Sequence, residues 1–76
     1  MDRHARTTQE AEGYSDAFLA QEWRRAKEHW VVVQAAERAG TVDASSDGFQ
    51  HAADKYYGLQ TVVRARGHDV VRFGRL

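Results

Sequence analysis

The sequence predicts an all-α protein whose main unit is an antiparallel two-helix hairpin. Three observations carry this prediction: an apolar stripe that contains both tryptophans, a second stripe with the same rhythm further along the chain, and a Ser/Asp/Gly-rich segment between them. The 76 residues include no cysteine, so we expect a single domain, residues 1–76, that cannot use disulfides for stability.

The first stripe belongs to a helix predicted over residues 8–39. Its apolar residues recur at steps of four, three, four and three, which is the spacing of one helix face. They are Leu19, Trp23, Ala26, Trp30 and Val33. We expect this face to pack against the second stripe within one subunit.

Two starts compete for the first helix, and a glycine separates them. Thr7 and Glu10 match a capping box, while Ser15 is a second possible N-cap. Gly13 costs about 1 kcal/mol relative to alanine inside a helix, which does not forbid a continuous helix. We expect the helix to continue through Gly13 after a flexible lead-in over residues 1–7, and the alternative is a short first turn that breaks at Gly13.

The first helix is predicted to end at Gly40, because glycine readily adopts the left-handed conformation that follows a helix. Val31, Val32 and Val33 favour a strand as the competing interpretation, since β-branched residues are mildly poor helix formers. The alanines that follow them and the lack of a turn signal favour the helix.

The second helix is predicted over residues 47–66, after a loop at 41–48. Either Ser46 or Asp47 can serve as its N-cap, and Gly67 follows its last turn. Its apolar stripe again advances in steps of three and four, and consists of Phe49, Ala52, Ala53, Tyr56, Leu59 and Val63. Gly58 is predicted to lie on the opposite, solvent-exposed side.

A second apolar face on the first helix predicts self-association or a protein partner. At 100° per residue, four apolar residues fall about a third of a turn from the tryptophan stripe, with Arg25 beside them. They are Tyr14, Phe18, Val32 and Ala36. One hairpin partner covers only one side of a helix, so we expect a homo-oligomeric helical bundle in which this face forms the oligomer or partner interface.

Residues 67–76 are predicted to form a short extended, basic tail. Val70 to Phe73 is a β-prone run that either pairs with a strand edge of a copy or partner, or packs irregularly back on the hairpin. The end of the second helix and the tail contain four arginines and one histidine against a single acid, Asp69. We take Arg64, Arg66, His68, Arg72 and Arg75 as the candidate site for an anionic ligand or partner.

Several function classes find no support in the sequence. No nucleophile motif and no glycine-rich phosphate loop is present, so we expect neither an enzyme nor a cofactor. His51 and Asp54 share a helix face, but the Glu-x-x-His motif of dimetal bundles is missing, and we expect no metal. No window reaches the 18 or so apolar residues of a membrane span, and we expect a soluble cytoplasmic protein that does not contact membranes.

The predicted function is a small protein–protein interaction module that self-associates and binds or inhibits a larger macromolecule. Its size and arginine-rich composition suit a phage-type accessory or inhibitor protein. The alternative is a nucleotide- or nucleic-acid-binding module that uses the C-terminal arginines, although a formal net charge of zero does not favour a protein that grips a phosphate backbone. A third possibility is a structural subunit of a larger assembly.

Overall fold

The computed structural model of this chain describes residues 3–74 and contains three helices. Helix α1 spans Arg3–Ala11, α2 spans Asp16–Arg38 and α3 spans Asp47–Ala65. No strand occurs between residues 3 and 74. The all-α prediction is therefore confirmed, whereas the two-helix hairpin is wrong, because the predicted first helix is divided into two.

The division between α1 and α2 is set by Ser15. The amides of Gly13 and Tyr14 donate to the carbonyls of Glu10 and Ala11, which closes the last turn of α1. Ser15 then adopts an extended conformation (φ −66°, ψ 160°), and its side chain accepts a hydrogen bond of 3.2 Å from the amide of Phe18. Ser15 is thus the N-cap of a new helix, and the predicted continuity through Gly13 is wrong.

Helix α1 occupies most of the stretch for which a flexible lead-in was predicted. Thr7 lies inside this helix, so it does not cap one. The hydroxyl of Thr8 donates to the carbonyl of Gly58 at 3.3 Å, and Ala11 is fully buried. Residues 3–11 are therefore ordered by packing on α3.

Helix α3 is the central element, because both α1 and α2 pack along it. The side of α3 that was predicted to face solvent is covered by α1. Gly58 is buried, and Asp54, one turn earlier on the same face, is only 5% exposed. The solvent-exposed position predicted for Gly58 is therefore wrong, because a third helix was not anticipated.

The two apolar stripes meet between α2 and α3, as predicted. Trp23 stacks on Tyr56 with ring centroids 5.2 Å apart, and Trp30 lies 5.1 Å from Phe49. Trp23 and Trp30 are 1% and 8% exposed. The contact on α3 moves back from Tyr56 to Phe49 as α2 advances from Trp23 to Trp30, so the two helices are antiparallel.

The ends of α2 and α3 follow the predicted signals closely. Ser46 caps α3 by accepting from the amide of Phe49 at 3.3 Å. Gly40 and Gly67 have φ values of 81° and 80°, and each sits just past a C-cap residue. The amides of Thr41 and His68 reach back five residues to helix carbonyls, which completes a Schellman motif at both ends.

Residues 68–74 fold back on α2, so the extended conformation predicted for this stretch is wrong. We call residues 67–74 the C-terminal segment. The carboxylate of Asp69 accepts hydrogen bonds from the amides of Val71 and Arg72, and the amide of Phe73 donates to the Asp69 carbonyl at 2.8 Å. Asp69 thereby caps a single turn. Of the two alternatives for the run from Val70 to Phe73, the structure shows the irregular packing on the hairpin.

The three helices form one layer. The Cα atoms extend over 36 × 31 × 15 Å, so the molecule is flat, and α3 lies between α1 and α2. Every helix in such a layer has sides that no other helix of the same chain covers. These uncovered sides carry the candidate functional surfaces.

Candidate interaction surfaces

The outer face of α2 contains four of the five residues predicted as an interface, Phe18, Arg25, Val32 and Ala36, and Tyr14 lies just before the helix. Phe18 is 42% exposed and Val32 is 65% exposed, while Arg25 is also exposed and Ala36 is half-buried. Phe18 and Val32 point away from the buried tryptophans on the same helix. Residues 3–74 therefore leave Phe18, Arg25 and Val32 on this face exposed.

Tyr14 joins the outer face of α2 to the core. Its ring packs edge to face on Phe18, with centroids 4.6 Å apart and an interplanar angle of 82°. Tyr14 also packs against the buried cluster that contains Leu19 and Val63. The exposed Phe18 ring is thus held in a fixed position by a partly buried neighbour, which reduces the entropy that it would lose on binding.

A third side of α2 also exposes an aliphatic residue. Val31 is 64% exposed, almost the same as Val32, but adjacent residues on a helix point about 100° apart. The two neighbouring valines therefore belong to different surfaces of the molecule. On α3, Tyr57 is also exposed, at 45%, and its ring lies 5.9 Å from that of Trp30.

The C-terminal segment is attached to α2 through its backbone. The indole nitrogen of Trp23 donates to the carbonyl of Val70 at 3.0 Å, and the ammonium group of Lys27 lies 3.5 Å from the same oxygen. Gly74 has a φ of 91°, and a Cβ atom there would approach the carbonyl oxygen of Ala20 to 3.0 Å. Glycine is required at this contact because both its φ and its distance from α2 disfavour a side chain.

Arg66 has a structural role, because its guanidinium binds acceptors within the chain. Its guanidinium donates to Asp16 at 2.8 Å and to the carbonyls of Tyr14, Glu12 and Ala11 at 2.6, 3.2 and 3.4 Å. One side chain thus binds carbonyls of the α1–α2 connection and the carboxylate in the first turn of α2. This engagement removes one arginine from the predicted anion-binding cluster.

His68 is also engaged within the chain. Its ring stacks on Phe73 with centroids 4.3 Å apart, and its Nε2 lies 3.4 Å from the second carboxylate oxygen of Asp16. The hydrogen bond from Arg66, followed by the contact with His68, lowers the pKa of Asp16 below its ordinary value of 3.8. Asp16 therefore carries a negative charge at neutral pH and neutralises positive charge in this region.

A cleft of about 530 Å³ lies between α2 and the C-terminal segment, and we call it the tail cleft. On the α2 side it is lined by Asp16, Ala17 and Ala20. The C-terminal segment contributes His68, Asp69, Arg72, Phe73 and Gly74. Its surface is mainly apolar, and its volume falls in the range of small-molecule sites, roughly 300–1,000 Å³.

The structure separates the five residues of the predicted anion site. Arg72 and His68 line the tail cleft, and Arg66 lies beside it in contact with Asp16. Arg64 is exposed in the last turn of α3 and does not line the cleft. Arg75 lies outside the described residues.

Two acidic residues of the tail cleft, Asp16 and Asp69, were not identified as site residues from the sequence. Asp16 lies in the first turn of a helix, where an acid favours the helix dipole, and Asp69 was interpreted only as a lone acid among arginines. Asp69 before a short apolar run is a recognisable turn-capping signal that predicts the compact C-terminal segment. The hydrogen bond from the Trp23 indole to the Val70 carbonyl joins residues 47 positions apart, so no local sequence pattern predicts it.

On the opposite side of the α2–α3 pair, Glu22, His29 and His51 line a shallow groove of about 210 Å³. Within residues 3–74, no three His, Cys, Asp or Glu side chains converge in a way that could hold a metal ion. No helix in this part of the chain combines the length and apolar character needed to cross a membrane.

Comparison with known proteins gives no assignment. The sequence matches no protein-family model, and neither the curated proteins nor the solved structures give a significant match. The function is therefore inferred from the geometry of the chain itself.

Proposed function

We propose that this chain is a small protein–protein interaction module that self-associates through the outer face of α2. The observation that carries the proposal is the exposure of Phe18 and Val32 on a molecule only one helix layer thick. Exposed apolar side chains on a uniquely folded helix gain free energy when a second helix covers them. A second copy of the chain offers the same apolar face.

The spacing on the outer face of α2 suits an antiparallel pair. Phe18 and Val32 each lie seven residues from Arg25, so a twofold axis near Arg25 would place Phe18 of one copy against Val32 of the other. Glu22 and Glu28 flank Arg25 at three residues on either side, and they supply negative charge for the partner's arginine.

We further propose that the dimer binds or inhibits a larger macromolecule. Val31 and Tyr57 lie outside the proposed pairing face and stay exposed, at 64% and 45%. Aromatic residues such as Tyr57 are enriched at protein interfaces. The lack of cysteine suits a cytoplasmic location, and the size and composition suit a phage-type accessory or inhibitor protein.

Nucleic-acid binding through the C-terminal arginines draws less support from the geometry. Arg66 is committed to acceptors within the chain, and Asp16 adds a negative charge to the same region. Since phosphate binding depends on several cations that are free to replace counterions, this arrangement favours the interaction module over the alternative.

Sedimentation equilibrium of three proteins tests the self-association. We expect the wild type to dimerise reversibly, with a dissociation constant on the order of micromolar, because one helix face is a small interface. Val32→Glu places a charge on the proposed face and should weaken dimerisation at least about tenfold.

Val31→Glu is the matched control, because Val31 has nearly the same exposure as Val32 on the same helix turn but points in another direction. It should leave the dissociation constant within about twofold. Monomeric wild type at all concentrations, or equal effects of the two substitutions, would contradict the proposal.

A further inference from the structure

The tail cleft lies on a different side of α2 from Phe18 and Val32, so its role is independent of self-association. We propose that it is a binding site for a small apolar anion, such as an aromatic carboxylate. The shape of the cleft, the arginine at its rim and the partners of its carboxylates support this assignment.

The floor and one wall of the cleft are suited to a flat apolar body. Ala17 and Ala20 present only methyl groups from α2, and the Phe73 ring forms part of the opposite side. Phe73 is held in place by stacking on His68, and by the hydrogen bond from its amide to the carbonyl of Asp69. The cleft is therefore preorganised and does not need to form on binding.

Both carboxylates at the cleft are engaged within the chain. Asp16 accepts from Arg66 and approaches His68, while Asp69 accepts from the backbone amides of Val71 and Arg72. The pKa values of both carboxyls are lowered, Asp16 first by Arg66 and Asp69 first by the amide of Val71. Partners within the chain thus offset part of the negative charge of both carboxylates.

Arg72 is the cation that remains for a ligand. It is exposed and lines the cleft, and within residues 3–74 its guanidinium donates no hydrogen bond, although the nearby charge of Asp69 offsets part of its field. A guanidinium binds a carboxylate through two parallel hydrogen bonds. A ligand with its ring over Ala17 and Ala20 and its carboxylate at Arg72 would satisfy both features.

The probe that we choose is 2-naphthoate, titrated into ¹⁵N-labelled full-length protein and followed by amide chemical shifts. The expected shifts cluster in residues 16–20 and 68–74. The neutral analogue 2-naphthamide should bind about tenfold more weakly, since it cannot form the charged pair with Arg72. Shifts confined to other parts of the chain, or none at millimolar probe, would overturn the proposal.

Two substitutions with matched controls complete the test. Arg72→Gln should weaken 2-naphthoate about tenfold, whereas Arg64→Gln, at another exposed arginine outside the cleft, should leave it within about twofold. Ala17→Leu fills the cleft from an exposed helix position and should also weaken binding, whereas Ala35→Leu near the other end of α2 should not. Wild-type affinity in both Arg72→Gln and Ala17→Leu, with amide shifts unchanged, would overturn the assignment.

Discussion

Arg66 links three parts of the chain through one planar group. It lies at the C-terminal end of α3, yet its guanidinium reaches carbonyls of the α1–α2 connection and the carboxylate of Asp16. A planar fork with several fixed donors suits such a set of acceptors better than an ammonium group does. The position of α1 relative to α2 therefore depends on a residue more than 50 positions away.

We predict that Arg66→Lys destabilises the protein more than Arg64→Lys does. Lysine at position 66 keeps the charge but loses the fork, so we expect a cost of about 1–3 kcal/mol in the free energy of unfolding. Arg64 is exposed and should tolerate lysine within about 0.5 kcal/mol. Urea unfolding followed by circular dichroism measures both costs, and equal costs would show that the Arg66 contacts do not stabilise the fold.

The ion pair of Asp16 predicts a dependence of stability on pH. The pKa of Asp16 is lowered from 3.8, chiefly by the hydrogen bond from Arg66. A depressed pKa in the folded state stabilises the fold above the unfolded-state pKa, and this contribution disappears as the pH falls through the folded-state pKa.

The difference in unfolding free energy between wild type and Asp16→Asn should therefore be largest near neutral pH and should close in acid. Urea midpoints measured from about pH 7 to about pH 2 test this expectation. Asp47→Asn is the control, because Asp47 occupies the first position of α3 as Asp16 does of α2. A difference for Asp16→Asn that stays constant with pH would contradict the role assigned to the ion pair.

At the scale of elements, the boundary between α1 and α2 shows which local signal decided the fold. Gly13 has no positive φ, and a Cβ atom there would meet the Glu10 carbonyl oxygen at an ordinary 3.7 Å. The change of direction instead occurs at Ser15, whose side chain caps α2. Local hydrogen bonding by serine, rather than the flexibility of glycine, therefore separates the two helices.

We predict opposite effects for substitutions at these two positions. Gly13→Ala should be neutral or stabilising, by up to about 1 kcal/mol, because alanine reduces the entropy of the unfolded chain without a clash. Ser15→Ala should cost about 1 kcal/mol through loss of the cap, and Ser15→Asp should retain stability. Thermal unfolding distinguishes the outcomes, and a larger loss for Gly13→Ala than for Ser15→Ala would contradict this account.

The sequence alone predicted the α2–α3 pair, but it did not predict helix α1 or the compact C-terminal segment. The tryptophan stripe, the stripe from Phe49 to Val63 and the caps at Ser46, Gly40 and Gly67 are local or periodic signals, and all of them appear in the structure. Helix α1 has only nine residues, and its contact with Gly58 joins positions 50 residues apart. Such contacts are tertiary, so no window of the sequence displays them.

The candidate site residues show the same difference between local signals and tertiary contacts. Helical spacing alone placed Phe18 and Val32 on one face, and the structure leaves them 42% and 65% exposed. The arginine cluster was identified from composition, but composition does not show that Arg66 is used internally while Arg72 lines a cleft. Those roles depend on how the C-terminal segment folds back on α2.

At the scale of the whole molecule, the central feature is a single helix layer with apolar side chains left on its surface. In this flat arrangement α3 covers one side of α2, and the C-terminal segment covers part of another. The side that contains Phe18, Arg25 and Val32 has no cover from the rest of residues 3–74. Dimerisation is the simplest way to bury it, and it would also add stability to a domain of this small size.

Cross-linking through single engineered cysteines tests this proposal most directly, because the chain has no cysteine of its own. Facing Cα atoms of helices about 8–10 Å apart approach to about 3.4–5.4 Å, which overlaps the separation that permits a disulfide. Arg25→Cys lies at the proposed twofold axis and should form a disulfide-linked dimer under mild oxidation, whereas Val31→Cys should form little disulfide-linked dimer. Equal cross-linking of the two variants, or none at Arg25→Cys, would contradict the proposed pairing through the outer face of α2.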